Sequence, residues 1–593
     1  MKAATEKTDP SFRQKCFFWC CAAVSLVALL GSNSLFWVEP GIAEAAREIT
    51  VTGSWHPLTI NFRECSGLPV LEVWSVALFF KLGVSEFAAR LPSALAAISL
   101  LIGTIQLTKQ LYDRRTALLA GWLTLGSFGV LYMGRCCGSG VFSGAFAVWA
   151  VVLYLRGAGR KSFWYALGLS ALLALGVLNR GLGFLWLPGA LLLPWLVSER
   201  KKFEPRVAAA VAVAAVALYV AWVIILGEPF IALCKWLWRI MAVEGTGTAV
   251  KRWCTTWWSG RANPLWMGLV DVPRIMLPWS LLMIAAFAGA LCRIHRISRE
   301  ERCLLGGIVL GFVVLAFPAS SQRTDFLPLV PFLALETGIW VLRGEGGRLS
   351  RWAVVATRTA IVVAASFGTV AVVTIPVWRQ LMELELPTLF WAAGFIFGAA
   401  ILVIMMLDCY PTRPLPRLTG LPDPLGSTIL GGTLASICLI SFLLPSLREM
   451  REEKPFLLGV RSRVAGMKPE AIINVGGTHS TALLLFYADI PGPITTVSDR
   501  CDDRALRGFA GAVSRAPEGR VAVIALYQDR EKSFVRRCAA EAGLKIDVEN
   551  PDILEGAPSG CVLEYRRRAF YMASPDRRSG ENEKSTNVQN KGN

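Results

Sequence analysis

The sequence predicts a mainly α-helical membrane protein, a polytopic helix bundle followed by a small α/β domain near the C-terminus. The 593 residues are 54% hydrophobic and only 18% charged, with a mean hydropathy of +0.49. This composition excludes disordered, collagen-like and small disulfide-stapled chains. Apolar stretches of about 17 to 23 residues recur along the first three quarters of the chain, and each can cross a hydrocarbon core about 30 Å thick. An ordinary water-soluble enzyme is therefore not expected.

About thirteen membrane spans are predicted from these stretches. They are residues 17–36, 88–107, 116–133, 141–155, 163–178, 182–197, 207–226, 272–291, 303–317, 326–342, 352–373, 389–407 and 425–444. Short loops rich in Lys and Arg stay cytoplasmic, so loop charge tests the count. With the N-terminus inside, basic residues fall in alternate loops: Lys109, Arg114 and Arg115 share one loop, and the next carries Arg135 alone. An odd number of spans then places the C-terminus outside.

The net charge of +18 follows from the same partition. About +13 falls in the predicted cytoplasmic segments, about +2 in the external loops and spans, and about +3 in the chain from Ser446 onward, as the positive-inside rule expects. The basicity is thus a signal of topology. It argues against nucleic acid as a partner and favours membrane lipids.

Two apolar segments are predicted to differ from ordinary spans. The first span follows basic residues, as a signal peptide does, but its length of about 20 residues and the lack of a clear cleavage site before Trp37 favour a retained anchor. The stretch 68–82 is only about 15 residues long, so we expect a helix lying at the membrane interface.

The remaining elements are predicted on the external side. A transmembrane domain over residues 1–445 carries external loops at 37–87 and 227–271, an α/β domain covers 446–575, and the polar tail 576–593 is predicted to be disordered. Buried strands are predicted at 471–475 and 521–526. The Gly-Gly pair after the first strand is interpreted as a tight turn, because it lacks the full glycine spacing of a phosphate loop. Without CxxC or clustered His, neither a metal site nor a cofactor is predicted.

The first external loop holds the most suggestive charges. Pro40 stands near a helix start, with Glu44 and Glu48 one turn apart and Arg47 three residues after Glu44. On spacing alone, the simplest interpretation is a short amphipathic interface helix with internal ion pairs. The alternative is a functional site, since charge at a membrane face is costly unless a partner or ligand compensates it.

The same loop resembles a known family. The run from Glu39 through Gly53-Ser54-Trp55 to Trp74, closed by Phe87-Ala88-Ala89-Arg90-Leu91-Pro92-Ser93-Ala94, is similar without a gap to the first external loop of GT-C glycosyltransferases. The similarity is greatest to bacterial lipid A aminoarabinose transferases and protein O-mannosyltransferase-like enzymes. Three further segments match in the same order, namely Leu178-Asn179-Arg180-Gly181, Leu277-Pro278-Trp279 and the stretch 321–328.

The resemblance implies transfer of a sugar from a polyprenyl-phosphate donor to a lipid or protein acceptor, at the external face of a bacterial inner membrane. The N-terminus would be cytoplasmic and the C-terminal domain periplasmic. Such chemistry needs a carboxylate that accepts the acceptor's proton and cations that neutralise the leaving phosphate. This chain departs from the family at those positions. The expected base is Val38, the phosphate-binding lysine is Leu68, and the second acid is Gly140.

Several charged groups remain as candidates. Glu39 is the candidate base, one residue from the lost acid, although one step along a helix turns a side chain by about 100°. Arg180 and Arg323 match the family's basic positions, and arginine can bind a phosphate with two hydrogen bonds. The further candidate substrate-binding residues are Glu44, Arg47, Arg63 and Glu244. For each of them a solvated or structurally paired group is the competing interpretation, as it is for His56.

Three functions follow from these observations. The first is an active membrane glycosyltransferase that uses a polyprenyl-phosphate sugar. The second is a catalytically impaired GT-C pseudoenzyme that binds a lipid-linked glycan or a partner protein, because the expected base, lysine and second acid are all replaced. The third, a transporter or flippase, is disfavoured, since such proteins usually show internal repeats and midplane charges.

Overall fold

The structure is a computed structural model, and most of what it describes is helical. It describes residues 11–36, 38–65, 68–138, 140–157, 163–180, 182–198, 217, 264–316, 326–342, 351–363, 421, 425–440, 454–475, 478–490, 492–497, 507–508, 511, 521–525, 544–549 and 569–575. Most of the predicted loop 227–271, the boundary near residue 446 and the predicted tail 576–593 lie outside these residues.

The helices of the N-terminal half lie on either side of residues 37–87 and within them. This segment is predicted as the first external loop and is called by that name below. They are α1 (Phe12–Val27), α2 (Glu39–Thr52), α3 (Val70–Phe80), α4 (Glu86–Leu111), α5 (Arg114–Gly126), α6 (Phe128–Gly134), α7 (Val141–Gly157), α8 (Phe163–Arg180) and α9 (Trp186–Ser198). Further along come α10 (Pro264–Ile275), α11 (Ser280–Cys292), α12 (Arg299–Ala316), α13 (Val330–Leu342), α14 (351–363), α15 (Leu425–Cys438), α16 (Lys454–Met467) and α17 (Thr478–Ala488).

One described helix, α4, is long and apolar enough to cross a membrane alone. Two bent pairs also pass that test when each is taken as one span: α5 with α6, bent by 62°, and residues 268–275 with α11, bent by 119°. The described ranges thus hold between one and three spans, and several shorter apolar helices. The count of about thirteen stays a prediction.

Two predicted spans are wrong in detail. The span predicted at 17–36 is helical only to Val27, after which residues 28–31 turn and Leu29 takes a positive φ of 59°. The span predicted at 272–291 is broken between Ile275 and Ser280, because Pro278 supplies no backbone N–H to continue the helix. Hydropathy detects an apolar run but not a break in the helix within it.

The bundle core forms around α4, which packs against α5 and α7. Small residues let these helices approach closely. A Cβ added at Gly103 would lie 2.2 Å from Val148 Cγ1, so any larger residue there would force Val148 to shift. Trp122 and Trp279 are fully buried within the same core. This packing fixes the positions of the helix ends around the site described below.

A second core joins the first external loop to the C-terminal domain. Helix α2 packs against both α3 and α17, and one apolar cluster includes Ile42 and Phe80 from the loop together with Phe486 from α17. The helix predicted over 68–82 is α3, and the cluster includes its buried apolar residues. Its place at the membrane interface stays a prediction. The C-terminal domain is therefore packed directly against this loop.

The C-terminal domain contains a five-stranded mixed sheet. Its strands are β3 (Ala471–Val475), β4 (Thr495–Val497), β5 (Val521–Ala525), β6 (Leu544–Glu549) and β7 (Ala569–Pro575), in the order β4-β3-β5-β7-β6. β3 runs parallel to β4 and β5, while β7 is antiparallel to β5 and β6. The strands predicted at 471–475 and 521–526 are present, the second one residue shorter. A two-residue hairpin, β1 (Thr59–Ile60) with β2 (Arg63–Glu64), lies in the first loop.

Candidate functional site

Glu39, the candidate base, lies at the start of α2 in a saturated hydrogen-bond network. Its Oε1 accepts from Arg90 Nε at 2.9 Å and from the Cys137 backbone N–H at 2.8 Å. Its Oε2 accepts from Arg90 Nη2 at 2.9 Å and from the Phe36 backbone N–H at 2.8 Å. The residue is 1% exposed. A carboxylate whose two oxygens each accept two hydrogen bonds has little capacity left to accept a substrate proton, so this geometry favours a structural role.

Arg90 completes that network from α4. Beyond its two bonds to Glu39, its Nη1 donates to the carbonyls of Leu30 and Asn33 at 2.7 and 2.9 Å, and its Nη2 donates to that of Ser34 at 2.6 Å. All five N–H donors of a guanidinium are thereby used. The pair fixes the start of α2 against the segment that follows α1.

The other charges of α2 are also bonded within the protein. Arg47 holds Glu44 through two bonds of 2.8 Å, and burial raises the pKa of Glu44 to about 7 against the opposing effect of Arg47. Glu48 accepts from the Thr59 hydroxyl at 2.5 Å and from the Phe62 backbone N–H. The ion-paired helix expected from spacing is therefore present, but it is buried and packs against the C-terminal domain.

A second carboxylate, Glu72 on α3, lies in a different environment. It is 3% exposed, and its Oε1 accepts one long bond of 3.4 Å from Asn179 Nδ2 on α8. The same amide group donates to Ser143 Oγ at 3.2 Å. Asn179 Oδ1 is buried and has no hydrogen-bond partner among the described residues. The ends of α3, α7 and α8 thus meet around an acid that is only partly satisfied.

The pKa of Glu72 is raised to about 7, because burial disfavours its charged form. The amide of Asn179, the positive charge of Arg180 and a hydrogen bond from the Gly140 backbone oppose that rise. Glu72 therefore changes charge near neutral pH. Arg180, the last residue of α8, is exposed, so a cation at the surface stands near a buried titratable acid.

The turn between α6 and α7 forms one wall of this site. Gly138 and Gly140 have positive φ angles of 76° and 70°, a conformation that glycine adopts without strain. A Cβ on Gly138 would lie 1.9 Å from Ile42 Cδ1 and 3.5 Å from Glu72 Oε2, and one on Gly140 would lie 3.8 Å from Arg180 Nη2. Glu72 thus stands beside the turn where the resemblance expects the second acid.

The structure brings together few of the predicted site residues. Arg180 lies beside Glu72, whereas Glu39, Glu44 and Arg47 belong to the bonded frame of α2. Arg63 is exposed on β2. Arg323 and Glu244 lie outside the described residues. His56 precedes β1 and is part-exposed, with its backbone carbonyl accepting from Ser54.

Sequence reasoning missed Glu72 as a site residue. A usable signal was present, because Glu72 is the one acid within the apolar run 68–80, and a lone ionisable residue in such a run suggests function. The sequence does not show which residues contact Glu72, because its partners Gly140 and Asn179 are distant in the chain. Across the described ranges, no three His, Cys, Asp or Glu side chains come together as a metal site.

Comparison with known proteins supports the resemblance. Residues 68–225 match the family model of dolichyl-phosphate-mannose-protein mannosyltransferase, a stretch that includes Glu72, Gly140 and Arg180. The crystal structure of ArnT from Cupriavidus metallidurans bound to undecaprenyl phosphate is similar at 16% identity and a TM-score of 0.64, over 94% of this chain and 97% of that one. The apo state of the same protein gives 16% identity and a TM-score of 0.62, over the same shares of the two chains.

At this identity, the likeness shows a shared fold. The predicted resemblance to GT-C glycosyltransferases is thereby confirmed, together with the mainly helical fold. A shared fold does not identify the reaction, the sugar or the acceptor.

Proposed function

We propose that this chain is a membrane glycosyltransferase that moves a sugar from a polyprenyl-phosphate donor to a lipid or protein acceptor, at the external face of a bacterial inner membrane. One observation carries the proposal: a buried carboxylate with a pKa of about 7 and an exposed arginine both stand beside the turn where the resemblance expects an acid. A catalytic acid or base works best when its pKa lies near the operating pH.

Glu72 is the proposed general base. In the reaction the acceptor oxygen or nitrogen attacks the anomeric carbon, the bond from that carbon to the phosphate oxygen breaks, and the acceptor proton passes to Glu72. Glu39 is assigned no proton transfer, since four hydrogen bonds occupy its oxygens. Because Glu72 is only 3% exposed, an acceptor must displace part of its surroundings to reach it.

Arg180 is the proposed phosphate ligand. Its exposed guanidinium lies at the end of α8 near Glu72, and an arginine that binds a phosphate with two parallel hydrogen bonds neutralises the charge left when the sugar departs. Support comes from the ArnT structure of the same fold, which was crystallised with undecaprenyl phosphate. Arg323 is retained as a second proposed phosphate ligand on the resemblance alone.

The test is transfer from labelled undecaprenyl-phosphate sugars by purified protein in proteoliposomes, with bacterial membrane extract as the acceptor source. We expect Glu72→Gln to lower the transfer rate by a factor of about 10² to 10⁴, the usual effect of losing a general base. Glu39→Gln should lower the yield of folded protein, while the transfer rate per folded molecule stays at the wild-type value. Glu64→Gln is the matched control, since Glu64 is exposed on β2. Transfer by Glu72→Gln at the wild-type rate would refute the assignment.

A second function is favoured by the substitutions at Val38, Leu68 and Gly140. Under it, the chain is a pseudoenzyme that binds a lipid-linked glycan or a partner protein through the same site. Under this function the wild type binds undecaprenyl phosphate, and Arg180→Gln weakens that binding. The wild type then transfers none of the labelled sugars. Transfer that depends on Glu72 would exclude it.

A further inference from the structure

A cavity lies at the end of α4 far from Glu72. It has a volume of about 200 Å³ and opens among the ends of α1, α4 and α5. That volume is several times the roughly 30 Å³ of a water molecule in the liquid. Neither the resemblance nor the proposed transfer reaction assigns a role to this end of the bundle.

The lining of the cavity is both cationic and apolar. Lys15, Lys109 and Arg114 come from three different helix ends and are exposed, and the lining residues include no acid. Trp19 of α1 supplies aromatic surface beside them, and the buried ring of Phe18 packs against it with centroids 5.0 Å apart. Such a lining suits a ligand with an anionic head and an apolar body.

A fourth cation is fixed to the cavity wall. Gln106, which lines the cavity, accepts a hydrogen bond of 2.8 Å through its Oε1 from Arg156 Nη2 at the end of α7. Three cations from α1, α4 and α5 thus line the opening, and Arg156 of α7 is bonded to a residue of its wall. Helix packing brings Lys15 and Arg156 near Lys109 and Arg114, since both lie far from them in sequence.

The position of the cavity along α4 corresponds to a membrane surface. Arg90 and Lys109 are separated along α4 by about 28 Å at a rise of 1.5 Å per residue, close to the thickness of a hydrocarbon core, about 30 Å. Arg90 marks the end of α4 that carries the external loop. Lys109 therefore reaches the opposite membrane surface, where Trp19 suits the headgroup level.

From this we infer that the cavity is a binding site for the headgroup of an anionic phospholipid of the opposite leaflet. The phosphate would lie among Lys15, Lys109 and Arg114, and the first part of the acyl chains against Trp19. The inference is independent of the proposed transferase reaction, because the cavity and the Glu72 site lie at different ends of α4.

The experiment is native mass spectrometry of the full chain released from mild detergent, titrated with phosphatidylglycerol or phosphatidylcholine. We expect wild-type protein to bind phosphatidylglycerol more tightly than phosphatidylcholine. A triple variant, Lys15→Gln, Lys109→Gln and Arg114→Gln, should bind phosphatidylglycerol at least about tenfold more weakly, given what each basic residue contributes near an anionic surface. The charge-matched control is Arg296→Gln, Arg302→Gln and Arg351→Gln, all exposed and outside the cavity lining.

Two further arms separate the alternatives. Inorganic phosphate at millimolar concentration should leave the bound phospholipid in place, because a free phosphate makes no contact with Phe18 or Trp19. Equal loss of phosphatidylglycerol in the two triple variants would overturn the site, since net charge alone would then explain binding. Equal affinity of the wild type for the two lipids, or displacement by inorganic phosphate, would overturn it as well.

Discussion

The segment between α1 and α4, predicted to be an external loop, contains two kinds of buried carboxylate, and their surroundings differ. Glu39 on α2 accepts four hydrogen bonds of 2.8 to 2.9 Å, and Glu44 is held by Arg47 through two bonds of 2.8 Å. Glu72 on α3 has one amide bond of 3.4 Å and the backbone of Gly140, with an exposed arginine nearby.

We call the fully bonded network of Glu39, Glu44, Arg47 and Arg90 the frame, and the surroundings of Glu72 the site. Acids whose oxygens are saturated hold α2 to α4 and to the C-terminal domain, and they have little capacity left for a ligand. An acid that is buried but incompletely bonded is poised to gain a partner or a proton. The residues that most resemble a motif in sequence are thus the frame, and the best candidate for chemistry is a residue without a motif.

The largest expected effect is loss of the frame. Arg90→Ala leaves Glu39 buried without its charge partner, and breaking a buried ion pair in this way typically costs about 3 to 5 kcal/mol. We expect a much lower yield of monodisperse protein in detergent and a lower melting temperature. Arg63→Ala, at an exposed position of β2, is the control and should match the wild type. An Arg90→Ala protein as stable as the wild type would break the distinction between frame and site.

The next effect concerns the site and is seen in the pH dependence of stability. The pKa of Glu72 is about 7 in the folded chain and 4.5 ordinarily, so between these values the folded state holds a proton that the unfolded state releases. Stability therefore falls as pH rises from about 4.5 to about 7, and the penalty persists above that. Glu72→Gln removes it, about 3 kcal/mol at pH 8.

The measurement is the difference in melting temperature between Glu72→Gln and the wild type at pH 5 and at pH 8. The variant should gain relative stability as pH rises. Because burial also raises the pKa of Glu44 to about 7, the wild type and the variant share that part of the pH dependence, and the difference between them isolates Glu72. A difference that does not change with pH would mean that Glu72 does not titrate in this range.

The mainly helical fold was predictable because long apolar stretches are typical of membrane helices. The strand at 471–475 was predictable for a similar reason, since a short apolar run bounded by turn residues suits a buried strand. The break at Pro278 and the shared core of the first loop and α17 were not predictable, because both depend on contacts between distant segments. The same limit hid Glu72, whose neighbours lie about 70 to 110 residues along the chain.

A smaller effect is expected where the frame joins the C-terminal domain. Asn61 donates to the Ile494 carbonyl at 2.8 Å and accepts from its N–H at 2.7 Å, while its own φ is 61°. Asn61→Ala removes both bonds and places alanine in a left-handed conformation, which together cost about 2 kcal/mol. Hydrogen exchange over 492–497 should speed up. Asn61→Gly, which lacks the strain, should recover only part of the loss; complete recovery would mean that the bonds contribute little.

The smallest effect is expected at the ion pair on the same interface. Arg47 Nη1 lies 3.4 Å from Asp489 Oδ1, and the Asp489 side chain is 51% exposed and also pairs with Arg461 at 2.9 Å. Exposed pairs contribute about 0 to 1 kcal/mol, so Asp489→Asn, which tolerates the positive φ of 51°, should change hydrogen exchange over 492–497 little. Arg461→Gln is the matched control for the second pair. If Asp489→Asn destabilised the interface as much as Asn61→Ala does, the charges and not the buried amide bonds would hold the domain on α2, and saturation of buried hydrogen bonds would no longer define the frame.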